Sequence, residues 1–183
     1  MGIPTLIKTL TASGSDSLDF VDGTSDVVFD DTYDEYMFVC TDINPATDSQ
    51  PFQFQFNAAG ASGFNESVLT TYFRSSNPES AATGLLEYVT SLDQQNTTGY
   101  VNVTLAQGSG ADESCVMILH VFSPSSTTYH THFYATANEH HSSVYSMHNH
   151  AAGYVLATAA VDEISFRFAS GAFDGVIQMY GIA

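Results

Sequence analysis

All seven histidines of this 183-residue chain fall between His120 and His150, and four of them form two His-x-His pairs. His130-Thr131-His132 and His148-Asn149-His150 each place two imidazoles on one face of an extended strand, because side chains alternate there. Asn138–Ser142 lies between the pairs and reads as a hairpin loop. A register symmetric about residue 140 puts His130 opposite His150 and His132 opposite His148. It also pairs Phe133 with Met147 and Ala135 with Tyr145 on the core-facing side. Directly opposed Cβ atoms sit about 4.5–5.5 Å apart, so the four imidazoles would share one patch. Imidazole is a common ligand for zinc, copper, iron and nickel, and the patch could hold such a metal, shared on a symmetry axis. The competing reading is a histidine-rich polar face or subunit contact without metal, which would loosen near pH 6 as the imidazoles gain charge and repel. The sequence therefore assigns no catalytic, cofactor-binding or metal-ligating residue.

Other constellations point less far. Serine, histidine and aspartate are plentiful, but Gly-x-Ser-x-Gly is absent and nothing marks an activated nucleophile, so no enzymatic activity is expected. A cupin-like metalloenzyme would use the same histidines, yet the Gly-rich strand motifs that accompany such ligands are missing. The acid pairs Asp30-Asp31 and Asp34-Glu35 could bind calcium or flank a sugar, but they lack the spaced ligand pattern of a calcium loop. Asn65-Glu66-Ser67, Asn96-Thr97-Thr98 and Asn102-Val103-Thr104 match glycosylation acceptors, a cheap match in a chain rich in Asn and Thr.

Twenty acids against three bases (Lys8, Arg74 and Arg167) give a formal charge of −17 at pH 7. Nucleic-acid binding draws on Lys and Arg displacing counterions, so phosphate backbones and anionic membrane surfaces are excluded as partners. No stretch approaches the roughly 18 apolar residues of a membrane span. The start, MGIPTLIKTLTASGS, lacks the apolar core of a signal peptide, and export is not expected. Cys40 and Cys115 lie in strand-like runs and read as buried free thiols, although spacing alone leaves a bridge between them open.

What must position these residues is a set of short strands. Phe52–Phe56 alternates most cleanly, with three phenylalanines inward and Gln53 and Gln55 outward. Strands are also expected at Thr5–Leu10, Ser15–Phe20, Val27–Phe29, Tyr36–Asp42, Ser67–Arg74, Leu85–Val89 and Tyr100–Leu105. Ser114–Phe122, Tyr129–Ala137, Ser143–His148 and Tyr154–Thr158 follow. The last stretch, Val161–Ala183, reads as two strands about a tight reversal at Ser170–Gly175, with Phe166, Ile177 and Met179 inward. Helical periodicity is lacking, and Pro78–Glu87 holds a short helix at best. The pattern predicts one all-β domain over residues 1–183, an antiparallel sandwich, jelly roll or barrel. Tyr36–Thr41 and Ser114–Phe122 are apolar on both faces. An antiparallel sheet normally leaves one face to water, so another sheet layer or another subunit, or a long loop such as Ser75–Thr83, is expected to cover them.

Two segments carry a resemblance. The ending Gly171-x-Phe173-x-Gly175-x-Ile177-x-x-Tyr180-Gly181-Ile182, preceded by Ile164-x-Phe166-x-Phe168, resembles the last hairpin of small β-sandwich virion proteins of tailed bacteriophages. Tyr33-Asp34-x-Tyr36-x-Phe38, continuing to Asp42-Ile43-Asn44-Pro45-Ala46-Thr47-Asp48, is similar to the same group's early strand and loop, and Phe52-x-Phe54-x-Phe56 fits too. The resemblance implies a jelly-roll-like sandwich, often trimeric, on the outside of the particle. It implies a capsid decoration or cement protein made in the host cytoplasm, with itself and the major capsid protein or other virion proteins as partners. The alternative it leaves is a receptor-binding fibre or appendage subunit contacting host surface glycans through aromatics such as Tyr100, Tyr129 or Tyr134. The family brings no catalytic residues, and the histidine-rich centre lies outside the resemblance.

Overall fold

The computed structural model describes residues 2–80 and 83–183. The strands, in chain order, begin with β1 (Thr5–Ser15), β2 (Leu18–Val21), β3 (Glu35–Pro45), β4 (Phe52–Ala58) and β5 (Val68–Pro78). Three short ones follow, β6 (Leu85–Tyr88), β7 (Gln95–Thr97) and β8 (Val101–Asn102). The long closing set is β9 (Cys115–Phe122), β10 (His132–His141), β11 (Tyr145–Val155), β12 (Val161–Phe168) and β13 (Phe173–Ile182). All pair antiparallel, in a large sheet ordered β1-β13-β3-β9-β10-β11-β5-β6, with β7 also on β5, and a small sheet ordered β2-β12-β4-β8. The fold is an all-β antiparallel sandwich.

Phenylalanine holds the layers together. Phe54 of the small sheet meets Phe133 of the large one at 5.3 Å between ring centroids, Phe20 meets Phe38 at 5.2 Å, and Phe38 meets Phe166 at 5.4 Å. These mostly tilted and edge-on contacts are the geometry that aromatic quadrupoles favour. Phe52, Phe54, Phe56, Phe166, Ile177 and Met179 are all fully buried, as their alternation predicts. Cys40 and Cys115 are buried free thiols, and burial alone pushes the Cys40 thiol far above its ordinary value.

The closing stretch departs from expectation. β12 and β13 do not form a hairpin: β12 sits between β2 and β4 in the small sheet, and β13 between β1 and β3 in the large one. Pairing β12 with β4 sets Phe166 opposite Phe54 and Phe168 opposite Phe52. The chain then crosses layers through Gly171, whose φ of +83° suits glycine. Other boundaries move as well. Ser143–His148 and Tyr154–Thr158 merge into one strand, β11, because Ala151-Ala152-Gly153 also pairs with β5. β5 runs on to Pro78, so Ser75–Pro78 lies within the large sheet rather than over the two-faced strands. Leu85–Tyr88 matches the strand expected at Leu85–Val89 and leaves no helix over those residues, while residues 81 and 82 lie outside the described residues. Tyr100–Leu105 shrinks to Val101–Asn102. Val27 and Phe29 are core residues of an irregular segment, pinned where the Phe29 N–H donates to the Asp22 carboxylate at 2.8 Å.

Candidate functional site: the outer face of the large sheet

Alternation divides the side chains of the large sheet cleanly. On β10, Phe133, Ala135, Ala137 and Glu139 are buried, leaving His132, Tyr134, Thr136 and Asn138 on the outer face. On β11, Met147, Asn149 and Ala151 are buried, and His148, His150, Ala152 and Tyr154 face out. His132, His148 and His150 therefore share the outer face.

The hairpin register differs from the expected one. The turn is Ser142–Val144, three residues centred on Ser143, with Val144 in the left-handed region at φ +63°. A three-residue hairpin loop closed by a left-handed residue is a common solution. His132 consequently pairs with Tyr154, His148 with Asn138 and His150 with Thr136. On the core side Phe133 pairs with Gly153 rather than Met147, and Ala135 with Ala151 rather than Tyr145. Asn138–His141 stays in the strand because Glu139 takes the inward phase and finds partners there. Its two carboxylate oxygens accept the Leu105 N–H at 3.0 Å each, and Oε1 also accepts from Asn149 Nδ2 at 3.1 Å. Burial pushes the Glu139 carboxyl above its ordinary value, against these hydrogen bonds.

The four paired histidines form two groups instead of one patch. The His148 and His150 rings lie 4.4 Å apart, and His150 stacks on Phe73 of β5 at 4.5 Å. His130 precedes β10, its Nδ1 3.2 Å from the Ala157 carbonyl oxygen, and flanks Tyr154 at 5.5 Å, with His132 at 5.3 Å. Tyr154 lies four positions along β11 from His150, about 13–14 Å at strand rise. Among the described residues no group of three His, Cys, Asp or Glu side chains could hold a metal ion. A third aromatic group forms on β9, where His120 stacks on Tyr134 at 4.5 Å and its Nδ1 pairs with the Glu35 carboxylate.

Between these stacks the face is apolar. Val116, Ile118, Tyr134 and Phe73 are each 40–47% exposed, and Met37 and Val39 are half-buried. A depression of about 410 Å³ lies over Gly153, walled by Leu69, Phe122, His132, Tyr134 and Tyr154. At the outward positions of β5, β9, β10, β11 and the Glu35–Thr41 part of β3, the one carboxylate is Glu35, already paired with His120. Acids gather instead at the rim, where Glu113 lies 3.1 Å from His140 and Glu79 3.9 Å.

The remaining expected residues are dispersed. Tyr100 lies beneath the Arg167 guanidinium at 3.7 Å, and Tyr129 stands 77% exposed on the loop before β10. The Asp30 carboxylate closes its own turn, accepting from the Thr32 N–H at 2.9 Å. Sequence reasoning missed the buried Glu139–Asn149 pair. Its signal was the inward phase running on from Ala135 and Ala137. Comparison with known protein families finds no matching family model, and comparison with curated proteins finds no match.

Proposed function

We propose that this chain is a structural virion protein of a tailed bacteriophage, an outer capsid decoration or cement protein with a jelly-roll-like fold, assembled as a homo-oligomer. One observation carries the reading: the two segments that bear the family resemblance are neighbours in the fold. β13 pairs with β3 along most of its length. A methyl group on Gly171 would collide with Thr47, and one on Gly181 with the Tyr33 ring. Glycines of the closing motif thus make room for side chains of the early motif, so the two short resemblances form one interlocking unit. The high negative charge suits a protein that must stay soluble until it reaches its particle and must avoid nucleic acid on the way.

Labelling intact virions with antibody against this chain, followed by particle reconstruction, tests the proposal. Density repeating over the capsid exterior supports it, and absence from purified particles overturns it. A second reading, a receptor-binding appendage subunit, is favoured by the depression over Gly153. Its walls of Phe122, Tyr134, Tyr154 and His132 offer flat rings for a sugar face. Label confined to fibre tips, with a glycan-array signal lost in Tyr134→Ala, selects that reading over decoration.

A further inference from the structure

We infer that copies of this chain associate through the outer face of the large sheet, in the region spanned by β13, β3, β9, β10, β11 and β5. The inference does not depend on where the protein sits on a particle. It rests on charge, on hydrogen-bonding character and on size.

Charge comes first. Two copies approaching one another each carry a formal −17, and most of their surface would set carboxylate against carboxylate. The outward positions from Val116 to Phe122, His132 to Asn138 and Leu69 to Asn77 hold no acid, Glu35 is paired with His120, and Asp174 at the end of β13 accepts from the Gly14 N–H at 2.7 Å. Burying this face keeps the acids at the rim, where water and salt screen them. A partner chosen for the acidity of this chain would need the opposite arrangement, with acids at the centre of the contact.

Hydrogen bonding points the same way. The outward polar groups here include His132, Thr136, Asn138, His148, His150, Tyr154 and Gln178. Neutral imidazole, amide and hydroxyl groups each both donate and accept. A surface built from such groups and from Val116, Ile118 and Phe73 can satisfy a copy of itself without leaving donors facing donors. A face that recognises a charged partner carries groups of one sign instead.

The size is adequate. Six adjacent strands about 4.8 Å apart, each presenting about eight residues at about 3.4 Å, cover roughly 29 by 27 Å. That is close to the roughly 800 Å² per partner of a standard specific interface.

Light scattering on the wild-type chain at tens of micromolar is expected to give a multiple of 19.7 kDa. Ile118→Glu and Thr136→Glu, on neighbouring strands with outward side chains, should each shift the mass to 19.7 kDa with an unchanged far-UV spectrum, while Asp16→Ala leaves assembly intact. Covalent footprinting of the wild type covers the case in which a Glu variant fails to fold. Val116, Ile118 and Phe73 should be protected at high concentration and become labelled on dilution. A monomeric wild type, assembly that survives both Glu variants, or full labelling of these residues in the assembled state overturns the inference. None of these results bears on particle location, which the virion label reads separately.

Discussion

The phenyl ring of Phe73 on β5 lies against the imidazole of His150 on β11, with centroids 4.5 Å apart and planes 12° from parallel. His148, two residues back along β11, stands edge-on to His150 at 4.4 Å. Burial beneath these rings, and then repulsion from His148, hold the His150 imidazole below its ordinary value of 6.5. An NMR titration is expected to show His150 losing its proton at lower pH than free histidine. Phe73→Ala, which lets water in, should move it back up. A His150 that titrates normally in both proteins would contradict the account.

The same shift has a consequence for stability. A histidine whose folded value is depressed binds protons more weakly folded than unfolded, so folding stability rises with pH across that interval. The contribution is complete above about pH 6.5, the unfolded value, and is lost as pH falls through the folded one. His141, lowered by burial and by Arg74, acts with the same sign. Melting temperatures should therefore fall as pH drops below 6.5, and His150→Gln should flatten that fall.

Glu139 acts with the opposite sign. Burial raises its carboxyl above the usual 4.5, so the folded chain holds this proton more tightly than the unfolded one. Its contribution is complete below about pH 4.5 and is lost as pH rises through the raised value. Glu139→Gln should remove this dependence. It also brings a donor to a cluster in which Asn149 Oδ1 and the Tyr72 hydroxyl are buried without partners. Glu139→Ala strips the Leu105 N–H and the Asn149 amide of their acceptor and should cost about 1–3 kcal/mol by urea denaturation. Equal pH profiles for wild type and Glu139→Gln would show that the carboxyl is ordinary.

Strand phase was legible wherever one face is apolar and the other polar. Phe52–Phe56, Ile164–Phe168 and Phe133 all point where alternation puts them. Gln55, expected outward, is nonetheless buried, because its amide donates to the Glu66, Thr98 and Gly99 carbonyls at 2.7–3.2 Å. Pairing was less legible. The hairpin turn moved from residue 140 to Ser143 because a buried Glu139 reads, in sequence, as a polar loop residue. Only its contacts with Leu105 and Asn149, distant in the chain, keep it in the strand. Likewise β12 and β13 look like a hairpin locally. What separates them is the room each finds in a different sheet, which local pattern does not encode. The outer face lay between these cases: Met37, Val39, Val116 and Ile118 announced a second apolar surface, while Phe73 beside His150 needed the β5–β11 register.

Core packing gives a prediction of larger size. Phe166 is fully buried and touches Phe20, Phe38, Phe52 and Phe54, with centroids 5.4–6.4 Å away. Removing a ring so placed leaves a cavity between the two sheets, and Phe166→Ala should cost about 3–5 kcal/mol. Gln178→Ala, on the outer face of β13, should change little. Matching melting temperatures for Phe166→Ala and wild type would show that the layers do not meet there.

The last prediction concerns the bulge of β3 and the glycine of β13 that faces it. Asp42 is an extra residue on β3, with φ of +54°, and it switches the inward phase from Phe38 and Cys40 to Ile43. Opposite it, Gly175 adopts φ of +143°. A methyl group there would sit 2.6 Å from Ile43 Cδ1 and 2.9 Å from the Asp42 carbonyl oxygen. Gly175→Ala therefore meets two penalties, an unfavourable backbone conformation and a collision with main chain that cannot move without breaking the bulge. It should lose about 1–3 kcal/mol of stability, measured by urea denaturation. Gly60→Ala is the control, because Gly60 shares a positive φ of +82° but has open space around its Cβ position. If the collision matters, Gly175→Ala loses clearly more than Gly60→Ala; equal losses would leave backbone strain as the whole effect and remove the packed bulge from the account.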